Sequence, residues 1–123
     1  MSFETIRVLK PNDFRRGNIV SKSPTFVMVQ SNSCGYCTDA KPEFVKASKR
    51  ASNKNITFAT IQTDGDKRDE AIAKSLKSGQ LVGIEPMNAV PVFLLFNNGK
   101  FVKQFDKNDR SAKSLSEFLK ESL

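Results

Sequence analysis

The chain has no histidine and no tryptophan, a single tyrosine, and only two cysteines in 123 residues. Without imidazole the commonest metal ligand is missing, and two thiols alone cannot close a tetrahedral zinc site, so neither a metal nor another cofactor is expected. No stretch approaches the roughly 20 consecutive apolar residues that a membrane-spanning helix requires. The opening Met1-Ser2-Phe3-Glu4-Thr5 has neither the basic start nor the apolar core of a secretory signal, which gives an expectation of a cytoplasmic location. Disulfides in reducing compartments are mostly transient and catalytic, so a lone close-spaced pair there suggests redox work more than a structural staple.

What is present fits one compact domain over residues 1–123. A hydrophobic content of 38% beside 27% charged residues is ordinary for a globular chain, and this length buries roughly two thirds of the unfolded surface. The net charge of +7 raises a nucleic-acid reading, but its distribution argues against it. Lys46, Lys49, Arg50 and Lys54 gather where a helix should end, and cations there complement the helix dipole. The phenylalanines occupy core-like positions and are not interleaved with the basic residues. A preference for acidic client surfaces is the milder consequence, with no nucleic-acid or membrane partner and a monomeric state expected.

Along the chain, Thr5 to Leu9 reads as a strand, and Asn12 or Asp13 as the cap of a helix running towards Val20, a reading weakened by Gly17. Thr25-Phe26-Val27-Met28-Val29-Gln30 is the nearly continuous apolar run of a strand covered on both faces. Cys37, Ala40, Phe44, Ala47 and Ala51 then recur at helical spacing, with Pro42 kinking that helix rather than ending it. Ile56 to Gln62 reads as a second buried strand, Asp64-Gly65-Asp66 as a turn, and Lys67 to Ser78 as a helix stopped by Gly79. Val92 to Phe96 forms another strand, and Asn98-Gly99 supplies a tight hairpin turn, because both central positions need positive φ. Leu115, Phe118 and Leu119 stripe a final helix capped by Ser111 or Ser114, the latter paired with Glu117.

The two thiols stand in Ser33-Cys34-Gly35-Tyr36-Cys37, between the first buried strand and the helix. Two intervening residues let them meet within one helical turn, so they can pass between a dithiol and a disulfide with little backbone movement. Cys34 is expected at the helix start, exposed, with unpaired backbone N–H groups facing its sulfur; Cys37 is expected on the inner side of the turn. The Ser33 hydroxyl and the Cys37 S–H are candidate donors to the Cys34 sulfur.

The order of strand, Cys-X-X-Cys, kinked helix, strand, helix, Val-Pro hairpin and last helix resembles the thioredoxin superfamily. Cys34-Gly35-Tyr36-Cys37, Pro42, Val90-Pro91 and Phe96-Asn97-Asn98-Gly99 carry the resemblance, which covers nearly the whole chain. It implies an α/β thioredoxin fold, a central mixed sheet of four to five strands flanked by about four helices. It also implies a cis Pro91, with the Val90 backbone free to pair with an extended client. Departures are equally specific. Ser33 replaces the usual Trp, and Met28 stands where a carboxylate six residues before the first cysteine normally moves the second thiol's proton. The approach Gly83-Ile84-Glu85-Pro86-Met87-Asn88-Ala89-Val90-Pro91 is about three residues longer than usual, and Asp106 to Arg110 lacks the usual glycine. Gly-Tyr between the cysteines is similar to bacterial disulfide isomerases and some glutaredoxins, but Phe101 to Arg110 has no Gly-Gly to hold glutathione.

The resemblance therefore implies a thiol-disulfide oxidoreductase that reduces, exchanges or isomerises protein disulfides. Cys34 would be the nucleophile and Cys37 the resolving thiol; Ser33, Gly35, Tyr36, Val90 and Pro91 would meet the client, and an upstream reductase or glutathione would supply electrons. Without a carboxylate at Met28, deprotonation of Cys37 falls to water or the departing thiolate, so resolution should be slow. The alternative is a non-catalytic adaptor domain that kept the fold.

Overall fold

The computed structural model describes residues 3–15, 18–51, 54–65, 69, 72 and 90–123. Among the described residues the strands are β1 (Arg7–Val8), β2 (Phe14–Arg15), β3 (Asn18–Ile19), β4 (Thr25–Gln30), β5 (Thr57–Gln62), β6 (Val92–Asn97) and β7 (Lys100–Gln104). Two α-helices accompany them among the described residues, α1 (Gly35–Arg50) and α2 (Ala112–Ser122).

Five strands form one mixed sheet in the order β1-β5-β4-β6-β7. β1 and β4 run parallel to β5, whereas β6 runs antiparallel to both β4 and β7. The parallel register sets Gln30 beside Gln62, so the C-terminal ends of β4 and β5 open at the same edge. Every residue of β4 is buried, as expected for a central strand sandwiched between two layers. Its alternation divides the core. Phe26 and Met28 pack towards α1 and α2 with Phe44, Phe93, Leu115 and Phe118, while Val27 and Val29 pack with Ala59, Ile61, Leu94 and Phe96 on the other side. Phe26 is the hub of the first layer, its ring 5.6–5.9 Å from those of Phe44, Phe58, Phe93 and Phe118.

The helix expected from Asn12 or Asp13 to Val20 is not formed. Residues Pro11–Asp13 make one 3-10 turn, and Phe14–Arg15 then pairs antiparallel with Asn18–Ile19. The cause is the use to which Asp13 is put. Its carboxylate accepts the Lys10 N–H at 2.8 Å and pairs with Arg7, closing the turn behind it rather than capping a helix ahead. Ile19 N–H donates to the Gly99 carbonyl at 2.8 Å, tying this small hairpin to the β6–β7 turn. That turn has Asn98 and Gly99 at φ 54° and 84°, and a Cβ on Gly99 would lie 2.8 Å from the Ile19 carbonyl oxygen. Of the expected strand Thr5 to Leu9, Arg7–Val8 is strand; Leu9 N–H still bonds the Thr60 carbonyl at 2.9 Å.

Helix α1 runs unbroken through Pro42. At α2 the cap is Ser111, whose Oγ accepts the Ser114 N–H at 3.2 Å, so Ser114 lies inside the helix rather than at its cap. The expected helix Lys67 to Ser78, the stop at Gly79 and the long approach to Val90 lie outside the described residues, apart from Asp69, Ile72 and Val90 itself.

Candidate functional site

Cys34 is the N-cap of α1, with extended backbone at φ −98°, ψ 118°. An ordinary cap offers a hydroxyl or carboxylate oxygen to the first turn; here the sulfur takes that place, accepting the Cys37 N–H at 3.1 Å. The Cys34 thiol also donates to the Val90 carbonyl at 3.5 Å, and it is half-buried. Cys37, one turn along, is fully buried. Both are free thiols. Burial pushes the Cys37 thiol up to about 11, reinforced by its hydrogen bond with Cys34, while a backbone hydrogen bond from Ser31 and the charge of Lys41 pull the other way. Met28, also fully buried, belongs to the same apolar cluster as Cys37, so the wall behind the inner thiol carries no titratable group at this position.

The turn that leads into α1 is held from across the sheet. Asp64, just beyond β5, receives the Ser31 hydroxyl at 2.7 Å and the Ser33 hydroxyl at 2.9 Å on Oδ2, and the Asn32 N–H at 2.7 Å on Oδ1. These donors, Ser31 foremost, hold the Asp64 carboxyl down at about 2. The Ser33 hydroxyl is thereby committed to Asp64, which corrects the expectation that it serves the Cys34 sulfur; the donor found there is the Cys37 backbone N–H. Gly65, at φ 79°, lets the two turns approach: a Cβ there would sit 2.9 Å from Gln62 Nε2 and 3.0 Å from Asn32 Nδ2.

The remaining residues expected at the site gather at the same edge. The Val90–Pro91 peptide bond is cis, Val90 being half-buried and Pro91 buried. Tyr36 projects outward with 71% of its surface exposed, and the Arg110 guanidinium lies 5.8 Å from its ring centre. A shallow hollow beside them is lined by Tyr36, Asp39, Ala40, Glu43, Asp109 and Arg110. Gly35 has open space around the position a Cβ would take, so no contact demands glycine there. Among the described residues no group of three or more metal-ligating side chains comes together, and no helix is long and apolar enough to cross a membrane.

A thiol pair at the mouth of the first long helix, beside a cis Val-Pro on a five-stranded mixed sheet, matches a known family: the model of the family Thioredoxin fits residues 5–121. The chain belongs to the thioredoxin family. A thioredoxin-like protein of Invertebrate iridescent virus 6 is 34% identical over 111 residues, covering 77% of this chain and 78% of its own. Solved thioredoxin folds superpose over almost the full length. Human ERp44 in its zinc-bound form gives a TM-score of 0.68 at 18% identity over 94% of this chain, and the J-Trx1 fragment of ERdj5 gives 0.67 at 20% over 94%. A chain from work on the thiol resolving mechanism of yeast mitochondrial 1-Cys peroxiredoxin gives 0.69 at 18%, covering 98% of this chain and 99% of its own. The present chain spans 31% of the ERp44 chain and 49% of the ERdj5 fragment. At these identities the structural likeness speaks for the fold.

Within this thioredoxin-family site, Ser31, Asp64 and Arg110 were not singled out by sequence reasoning. Asp64 reads in sequence as a turn former. The signal that finds it is topological, since the C-terminal ends of adjacent parallel strands share one edge and the turns beyond them meet.

Proposed function

We propose that this chain is a thiol-disulfide oxidoreductase in which Cys34 attacks a client protein disulfide and Cys37 resolves the product. The observation that carries the reading is the division between the two sulfurs: Cys34 is accessible and accepts a backbone N–H at the helix start, whereas Cys37 is sealed behind it. As a thiolate, Cys34 displaces one client sulfur, forming a Cys34-client disulfide and releasing the other client sulfur, which takes a proton. Loss of the Cys34 proton also frees the Val90 carbonyl, which then accepts an N–H from an extended client strand. Cys37 next gives up its proton and attacks the Cys34 sulfur; the second client thiol leaves, and two electrons have passed from the dithiol to the client. Glutathione or a reductase restores the dithiol. Burial holds Cys37 protonated, its pKa raised to about 11, and with no acid at Met28 this second step is the slower one.

Reduction of insulin by dithiothreitol, followed as turbidity, tests the proposal. The chain is expected to accelerate precipitation over dithiothreitol alone, and Cys34→Ser to abolish the acceleration. No acceleration by the native chain would favour the adaptor reading instead.

A further inference from the structure

The loop that leads into α2 is held in place by two carboxylates. Glu43, on α1, accepts the Ala112 N–H at 3.0 Å on one oxygen and pairs with Lys46 at 3.1 Å through the other. Asp109 accepts the Ser111 N–H at 3.0 Å on Oδ1, while its Oδ2 receives the Ser111 hydroxyl at 3.0 Å and the Ser114 hydroxyl at 2.9 Å. All four carboxylate oxygens are thus engaged in fixing the loop and its helix. Arg110 stands between these anchors, and the loop so fixed sets its guanidinium 5.8 Å from the centre of the Tyr36 ring.

Arg110 is half-buried and forms no ion pair among the described residues, although Asp39 lines the same hollow. An arginine that faces an aromatic ring still presents its fork of N–H donors along the edge of its plane, the geometry that suits a carboxylate. Tyr36 is 71% exposed and lies in the first turn of the helix whose cap is Cys34, so a client chain bound over that sulfur comes within reach of ring and guanidinium together. The carboxylates of the hollow would favour a basic client, but Glu43 and Asp109 have both oxygens bonded, which leaves Asp39 as the opposing charge.

We propose that Arg110 determines client specificity: steadied on Tyr36, it donates to an acidic side chain beside the disulfide that Cys34 attacks, so that acid-flanked disulfides react in preference to neutral or basic ones. The inference rests on the oxidoreductase reading and gives it a client feature.

Short peptides that carry one cysteine as a mixed disulfide with 2-thiopyridine, flanked by Glu, Gln or Lys, test it. The Cys34 thiolate attacks the peptide sulfur, the S–S bond breaks, and pyridine-2-thione leaves with a proton; Cys37 then gives its proton to water, attacks the Cys34 sulfur and releases the peptide thiol. The rate of pyridine-2-thione release is divided by that with β-mercaptoethanol, which removes the peptide's intrinsic reactivity. The native chain is expected to favour the Glu peptide over the Gln peptide by about threefold or more, the scale of a partly exposed charge pair, and to react slowest with the Lys peptide. In Arg110→Gln the Glu preference is expected to vanish while the Gln peptide stays within about twofold of its native rate, a pattern that a merely loosened loop would not give. Arg110→Lys keeps the charge without the fork and is expected to retain part of the preference. Equal native rates for Glu and Gln, a preference for Lys, or a Glu preference that survives in Arg110→Gln would overturn the inference. A native chain that reacts no faster than Cys34→Ser with any peptide would instead sink the oxidoreductase reading, and the inference with it.

Discussion

Two residues next to the thiols define what this site has and lacks. Asp64 is charged wherever the protein is folded at ordinary pH, since hydrogen bonds from Ser31, Asn32 and Ser33 hold its carboxyl at about 2 against an ordinary value of 3.8. A depressed folded-state value contributes stability that is fully present above the unfolded value and is lost as pH falls through the folded one. Asp64→Asn is therefore expected to melt lower than native at pH 5 to 7, with the gap closing between about pH 4 and pH 2. Thermal melts across that range check it, and a gap that is constant with pH contradicts it. Met28 defines the lack. A carboxylate placed there by Met28→Asp would be buried, held protonated more readily than in water, and suited to exchanging a proton with Cys37. With 5,5′-dithiobis(2-nitrobenzoate), where attack by Cys34 releases one nitrothiobenzoate and resolution by Cys37 releases a second, the second release should then quicken by about tenfold or more, at some expense in stability. An unchanged or slower release would show that the missing acid does not limit resolution.

At the scale of elements, the site depends on β4 and α1 being held in one relation by the phenylalanine layer. Phe26 touches rings from β5, β6, α1 and α2, so Phe26→Ala should cost about 3–5 kcal/mol of folding stability. Urea unfolding measures that, and a loss below about 1 kcal/mol would mean that the layer collapses around the gap. Such elements were legible in the sequence because their signals are local. The unbroken apolar run gives β4, three- and four-residue spacing gives α1, and Asn98-Gly99 gives its turn without reference to distant contacts. Residues 11–20 misled for the converse reason. Asp13 is a good helix cap in isolation, and only its tertiary partner Arg7 and the docking of Ile19 onto Gly99 turn the segment into a hairpin. The thiols were legible as a spaced pair. The Asp64 clamp was not, since 31 residues separate it from Ser33 and only the parallel register brings them together.

For the whole molecule, the net charge of +7 says less about the site than its size implies. Arg50, Lys54, Lys113 and Lys120, with Glu117, line a hollow of about 750 Å³ at the far end of α1, whereas near the thiols Asp39, Glu43, Asp64 and Asp109 stand with Lys41 and Arg110. A helix of this length separates the two ends by roughly 24 Å, two to three screening lengths at physiological salt. Insulin reduction should accordingly change by less than about twofold between 0.05 and 0.3 M salt. A steep fall with salt would mean that the distant cations steer clients after all.

The division of labour between the sulfurs is tested most directly by mass mapping after brief exposure to oxidised glutathione at neutral pH. The native chain is expected to yield the Cys34-Cys37 disulfide, Cys37→Ser a stable glutathione adduct on Cys34, and Cys34→Ser no adduct. An adduct on Cys37, or two unmodified thiols in the native chain, would contradict the account.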